Sequence, residues 1–241
     1  MTYVDGFVTP VPTANKEAYL AHAIEAADLF RKLGATRMVE AWGDDVPDGK
    51  LNDLKKAVQA TPDETVLFSW IEYPDKATGL AAGEKMMNDP QAAEMMKDMP
   101  FDGSRMIFAG FDSIVEQGAP GGMGYLDGYV LPVPADNEDA YRAMAEKAAG
   151  IFREYGALRV VEAWSEDIPA GKVTDYNRAT LREEGERVVY SWVEWPDKAT
   201  RDAAWPKMME DERMKPDGAM PFDGKRMMWG GFAPILDQKL A

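Results

Sequence analysis

Residues 3–8 alternate apolar and polar side chains, the two-residue period of a half-buried strand, and Pro10 predicts where that strand ends. Over residues 14–33 the period lengthens. Tyr19, Ala23, Ala26 and Phe30 fall on one stripe of an amphipathic helix, and Gly34 is its C-terminal stop. Residues 36–42 and 66–73 return to β-type runs. Pro74 and Asp75 open a second helix with Asp75 at the N-cap, and a methionine-rich helical stretch follows. Pro100-Phe-Asp-Gly103 turns the chain into a last strand, 105–111. The order β-α-β-β-α-β predicts an α+β unit of ferredoxin-like type, a four-stranded antiparallel sheet with both helices on one face.

The whole pattern then returns. Tyr3-Val-Asp-Gly-Phe-Val-Thr-Pro-Val-Pro12 reappears as Tyr125-Leu-Asp-Gly-Tyr-Val-Leu-Pro-Val-Pro134, an offset of 122 residues. The same offset aligns Val39-Glu-Ala-Trp42 with Val161-Glu-Ala-Trp164 and Pro74-Asp-Lys-Ala-Thr78 with Pro196-Asp-Lys-Ala-Thr200. Met99-Pro-Phe-Asp-Gly103 meets Met220-Pro-Phe-Asp-Gly224, so the second copy is one residue shorter, within 212–219. This period is far above that of a solenoid repeat, so each copy is a domain-sized unit. The boundaries read as 1–117, a Gly-rich linker at 118–124 expected to be flexible, and 125–241. The linker glycines lack the spacing of a dinucleotide-binding loop.

With helices on one face, each sheet leaves its other face bare. Val4, Gly6, Val8, Val39, Ala41, Leu67, Ser69 and Ile71 read as the small aliphatic set that packs beneath helices. Tyr3, Asp5, Phe7, Met38, Glu40, Trp42, Phe68, Trp70 and Glu72 read as the opposite set, aromatic and acidic. So much aromatic area is too apolar for water. The two copies are therefore expected to close their bare faces on each other, giving an intramolecular α+β barrel.

Tyr-Val-Asp-Gly-Phe-Val with Pro-Val-Pro, Glu40, Gly-Asp-Asp-Val-Pro-Asp-Gly-Lys50, Phe-Ser-Trp70, Met-Pro-Phe-Asp-Gly103 and Arg-Met106 resemble the YbaA-like family (domain of unknown function 1428), nearly end to end in each repeat. The resemblance implies the dimeric α+β-barrel superfamily, whose YbaA-like members are single-copy chains that pair. Here a tandem duplication supplies both partners. No agreed activity comes with the family. The wider superfamily includes cofactor-free monooxygenases, haem- or dye-handling enzymes and small-molecule binders.

Composition narrows the rest. Forty-two acidic residues against 27 basic ones leave a net charge of −15, which disfavours nucleic acid and anionic membrane surfaces as partners. No apolar run approaches the roughly 18–20 residues of a membrane span, and residues 1–12 lack signal-peptide character, so a cytoplasmic location is expected. There is no cysteine and one histidine, which removes thiolate chemistry and a multi-histidine metal site, and no cofactor is implied.

The candidate ligand-lining residues are Asp5, Glu40, Trp42, Trp70 and Glu72 with their copies Asp127, Glu162, Trp164, Trp192 and Glu194. Carboxylates among indoles can have raised pKa values and serve as general acid or base, or hold a cationic or polyhydroxylated ligand. They can equally pair with Arg37, Arg105 or backbone groups and set the sheet-to-sheet register. His22, replaced by Met144 in the second copy, reads as a helix-edge packing residue or an acid–base group. Asp44-Asp-Val-Pro-Asp-Gly49 misses calcium-loop spacing at Val46 and Lys55. The stretch 44–63 is long for a hairpin, and it and its copy 166–185 are expected to form lids over the barrel mouth. The methionine pairs 86–87, 95–96, 208–209 and 227–228 read as core filling or as adaptable binding surface. Three functions stay open: a small-molecule binder with its ligand between the sheets, a cofactor-independent enzyme of monooxygenase or isomerase type, and a structural module. Further oligomerisation is open too.

Overall fold

The computed structural model describes residues 2–165, 167–215 and 218–241. The first half contains β1 (Tyr3–Pro12), α1 (Lys16–Lys32), β2 (Arg37–Asp45), α2 (Leu54–Ala57), β3 (Glu64–Tyr73), α3 (Lys76–Met87), α4 (Pro90–Met95) and β4 (Ile107–Gly118). The second contains β5 (Tyr125–Pro134), α5 (Glu138–Glu154), β6 (Arg159–Ser165), α6 (Tyr176–Ala179), β7 (Glu186–Trp195), α7 (Lys198–Glu210) and β8 (Met228–Lys239). Asp75 caps α3 as its sequence predicts, its carboxylate accepting from the Thr78 amide.

The eight strands form one closed barrel, in the order β1-β3-β2-β8-β5-β7-β6-β4. Within each half all pairings are antiparallel. The two seams, β2 with β8 and β4 with β6, join the halves. β4 accordingly runs seven residues past the expected Phe111, because from Asp112 to Gly118 it pairs with β6 of the other half, beyond the end of its pairing with β1 at Asp112. Closure matters because β2 and β4 would otherwise be edges with unpaired backbone groups. Pro10 and Pro12 lie in β1 but beyond its pairing with β4, where a missing N–H costs no ladder bond on that side.

Register corrects the expected faces. Trp70 lies directly opposite Gly6 on β1 and Val39 on β2, so these three share a face. The barrel interior therefore takes Val4, Gly6, Val8, Val39 and Ala41 together with Phe68, Trp70 and Glu72, while Asp5, Glu40, Trp42 and Leu67 lie on the helix side. The physical reason is volume. A Cβ on Gly6 would come to 3.0 Å from the Tyr190 ring, and one on Gly128 to 2.8 Å from the Phe68 ring. Small residues on β1 and β5 make room for rings reaching across from the opposite half.

Those rings fill the barrel. Phe68 stacks on Tyr190 at 4.3 Å and Trp70 on Trp192 at 4.4 Å between ring centroids, across the pseudo-twofold axis. Tyr190 donates its hydroxyl hydrogen to the Ser69 carbonyl at 2.8 Å, and Tyr176 donates to that of Gly6 at 3.0 Å. The segments expected as lids cover one barrel end as plugs. Leu54 on α2 and Tyr176 on α6 are fully buried within the interior core. Asn52 donates to the Ala179 carbonyl and Thr174 to that of Ala57, tying each plug to the other. Glu166, at the start of the second of these segments, lies outside the described residues. The linker is anchored at its end. Met123 packs into the barrel core and the Gly124 amide donates to the Trp195 carbonyl.

Candidate functional site

Glu72 and Glu194 end the interior row that carries Trp70 and Trp192. Buried carboxylates are costly unless paired and fully hydrogen-bonded, and these are. Arg37 donates from Nη1 to Oε1 of Glu194 at 2.7 Å, and from Nη2 to Oε2 at 3.1 Å. Arg159 grips Glu72 in the same way, at 2.7 and 3.0 Å. Each indole Nε1 donates to its neighbouring glutamate, Trp70 to Glu72 at 2.9 Å and Trp192 to Glu194 at 3.1 Å. Outside, Asp237 and Glu116 take further guanidinium hydrogens of Arg37 and Arg159. Burial alone would raise the Glu72 carboxyl, but Arg159 and Arg37 hold it below its ordinary value. This symmetric cluster locks one half to the other. With Trp70 stacked on Trp192, these four candidates sit in a packed interior, and the expected cavity between the sheets is filled by side chains.

The other six candidates lie between sheet and helices. Trp42 packs in the core beneath α1, with the Lys16 ammonium 5.1 Å from its ring centre, and Trp164 packs against Tyr141. Asp127 receives Nε and Nη2 of Arg201 at 2.8 and 2.7 Å and the indole hydrogens of Trp195 and Trp205. Burial still leaves its pKa raised. Asp5 is its counterpart, but Gly79 and Gly83 stand at the positions of Arg201 and Trp205. Burial pushes the Asp5 carboxyl up to about 7, against the lowering effect of the Tyr73 hydroxyl.

Glu40 and Glu162 form a matched pair. Each lies opposite a serine on the neighbouring strand, Ser69 and Ser191. Each accepts a hydrogen bond at 2.7 Å from a helix tyrosine, Tyr19 and Tyr141. Ser69 and Ser191 also donate to them. Burial nonetheless pushes both carboxyls up to about 7. They differ in access. Glu40 is buried beneath α1, and α4, with Ala92 buried at its base, covers that side of the first half. In the second half a single 3-10 turn, Glu212–Met214, stands at that place in the chain. There Glu162 is only half-buried and lies on the floor of a cavity of about 500 Å³.

The walls of that cavity come from α5 (Met144, Ala148, Phe152), from Trp205 on α7, and from Met214, Met220, Phe222 and Met227. Tyr129 and Ser191 complete the floor beside Glu162. Such size and polarity suit a small organic ligand. A carboxyl that titrates near neutrality in an apolar surround can take up or release a proton at physiological pH. A second hollow, of about 350 Å³, runs along Ser113–Gln117 and Glu146. His22, at the position of Met144, is half-buried with its ring edge on Phe101, and burial lowers its pKa. The methionine pairs divide their work. Met208 and Met228 are core, Met209 is exposed, and Met227 lines the cavity.

The profile described as "Protein of unknown function (DUF1428)" matches residues 2–103 and again 124–224. The chain belongs to this family. The DUF1428 match falls once in each half of the barrel, which is what a duplicated family domain requires. Curated relatives include the uncharacterized protein YbaA of Escherichia coli K12 and that of Shigella flexneri, each 60 % identical over 117 residues, which is 48 % of this chain and 100 % of theirs. Among solved structures, a candidate monooxygenase from Fusobacterium nucleatum superposes with a TM-score of 0.59 at 11 % identity, covering 99 % of this chain and 94 % of its own. An anthrone oxidase-like protein gives 0.59 at 12 % identity, covering 100 % and 94 %. These superpositions show a shared fold. Among the described residues no helix is long and apolar enough to cross a membrane, and no group of three or more His, Asp or Glu side chains could hold a metal ion.

Sequence reading missed Tyr129, Tyr141, Ser191 and Trp205. One signal was present, the Ser-Trp dipeptide repeated at 69–70 and 191–192. The cavity itself left none, because it arises from which segment covers α5.

Proposed function

We propose that this DUF1428 chain binds one small, mostly apolar molecule in the cavity beneath α5, with Glu162 as the group that exchanges a proton with it. The observation that carries this reading is a carboxyl raised to about 7, without an ion-pair partner in the described residues, on the floor of a mostly apolar cavity of about 500 Å³ whose lining also includes Lys147, Arg213 and Lys215. The ligand site thus moves from between the sheets to between sheet and helix, and of the ten sequence candidates it keeps Glu162. We read residues 1–117 and 125–241 as two ferredoxin-like units joined through 118–124, a pseudo-dimer in which the second unit carries the site beneath α5.

The test is titration with N-phenyl-1-naphthylamine, a neutral apolar dye that fluoresces in dry sites. Saturable binding at one dye per chain is expected, lost in Ala148→Trp, whose indole would fill the cavity. Two dyes per chain, or undiminished binding by a folded Ala148→Trp, would overturn the proposal.

The enzyme reading, a cofactor-independent monooxygenase or isomerase, is favoured by one feature, the proton affinity of Glu162, and agrees with the names of the fold neighbours. Turnover of any bound compound should then follow a pH profile with an inflection near 7 that Glu162→Gln abolishes.

A further inference from the structure

Among the described residues the buried hydroxyl of Tyr129 has no hydrogen-bond partner, and the residue lines the cavity. Buried polar atoms are nearly always satisfied, so an orphaned donor beside an apolar space asks what meets it there. Its place in the sheet is informative. Tyr129 on β5 lies opposite Ser191 on β7, which in turn lies opposite Glu162 on β6. One floor row therefore reads Tyr–Ser–Glu across three adjacent strands. The first half has Phe7, Ser69 and Glu40 in the same row, and Phe7 spends its ring on a stack with Phe108 at 5.9 Å. The hydroxyl is thus the one polar group by which the open half's row differs from the closed half's.

The two ends of the row have complementary chemistry. Tyr129 has a hydrogen to donate. Glu162 already accepts from Tyr141 and Ser191, and a carboxylate has about four acceptor sites, so capacity remains. A ligand hydroxyl suits either end, able to accept from Tyr129 and to donate to Glu162. Around it Phe152 and Trp205 meet edge to face at 5.9 Å, and the methionine walls adapt their shape, an apolar surround that suits a ring body. We infer that the cavity selects a neutral, ring-shaped apolar molecule bearing one hydroxyl, and that Tyr129 is the residue that sets this specificity. The inference rests on the cavity being the ligand site.

Equilibrium dialysis of the full chain at neutral pH against 2-naphthol, 2-methoxynaphthalene and naphthalene tests it. The expected order is 2-naphthol about tenfold tighter than naphthalene, on the scale of one made against one missing hydrogen bond. The methoxy compound, able to accept but not donate, should fall between. Tyr129→Phe copies the first half's own residue, so the fold should tolerate it. It should cut the 2-naphthol preference to about threefold, the part supplied by donation to Glu162, and leave naphthalene itself unchanged. Equal binding of all three by the unmodified chain, or a 2-naphthol preference undiminished by Tyr129→Phe, overturns hydroxyl recognition by Tyr129 while leaving the cavity as the ligand site. Binding of none of them overturns the cavity reading and this inference with it.

Discussion

Arg37, Glu72, Arg159 and Glu194 show what one residue can cost when its charge is buried. Removing one partner strands the opposite charge inside the barrel, so Glu72→Gln or Arg159→Met should destabilise the protein by about 3–5 kcal/mol in urea titration. Asp237 and Glu116, on the partly exposed rim, should cost about 1 kcal/mol or less when changed to Asn or Gln. Asp5, Glu40 and Glu162 act in the other direction. Their folded pKa values, about 7, lie above the roughly 4 of an unfolded carboxyl. Between these values the native chain holds protons that the unfolded chain has released. The stability they contribute is complete below about pH 4 and is lost as pH rises through 7. Unfolding free energy should therefore fall from pH 5 to pH 8, and the double variant Glu40→Gln, Glu162→Gln should flatten that fall by roughly 5 kcal/mol, about 2.5 for each carboxyl. A slope unchanged by the double variant would rule out these carboxyls as its source. At this scale the sequence singled out six acids, Asp5, Glu40 and Glu72 with their copies, and the structure buries Glu40, Glu72, Asp127 and Glu194, with Asp5 and Glu162 half-buried. Sequence reading misassigned the faces of Asp5 and Glu40, because β1 and β2 place their large residues outward while β3 places its rings inward.

Among elements, the strands and long helices were legible from period and caps, and the two plugs were not. Leu54, Ala57, Tyr176 and Ala179 belong to helices of four residues each, too short for periodicity to reveal, and their burial depends on an interior made by both halves. Tight packing predicts slow opening. The amides of Ala57 and Ala179, bonded to the carbonyls of Asp53 and Asp175, should exchange hydrogen on the timescale of the core strands. Exchange as fast as in exposed turns would restore the expected mobile lid. The contrast between α4 and the turn at Glu212–Met214 also belongs here. One missing residue in the second copy was visible in the alignment, but its consequence, a half-buried Glu162 above which a cavity opens, depends on what packs over α5.

For the whole molecule, the duplication makes a prediction about its halves. The central contacts across the pseudo-twofold axis pair each residue with its own copy or with a matching partner: Trp70 with Trp192, Phe68 with Tyr190, Arg37 and Glu72 with Glu194 and Arg159. Residues 1–117 expressed alone should therefore re-form the barrel as a homodimer, seen as twice the chain mass by light scattering at micromolar concentration. A stable monomer would show that the seams β2–β8 and β4–β6 depend on features of the second half. Repeat structure, the order of elements along the chain and the need to bury an aromatic face are local or periodic properties, and the amino-acid order alone determined them. Which side chains became interior, which carboxyls found arginines and where a cavity remained were decided only by tertiary structure. Those outcomes depend on volume and charge brought together from strands more than a hundred residues apart, and no local pattern encodes that sum.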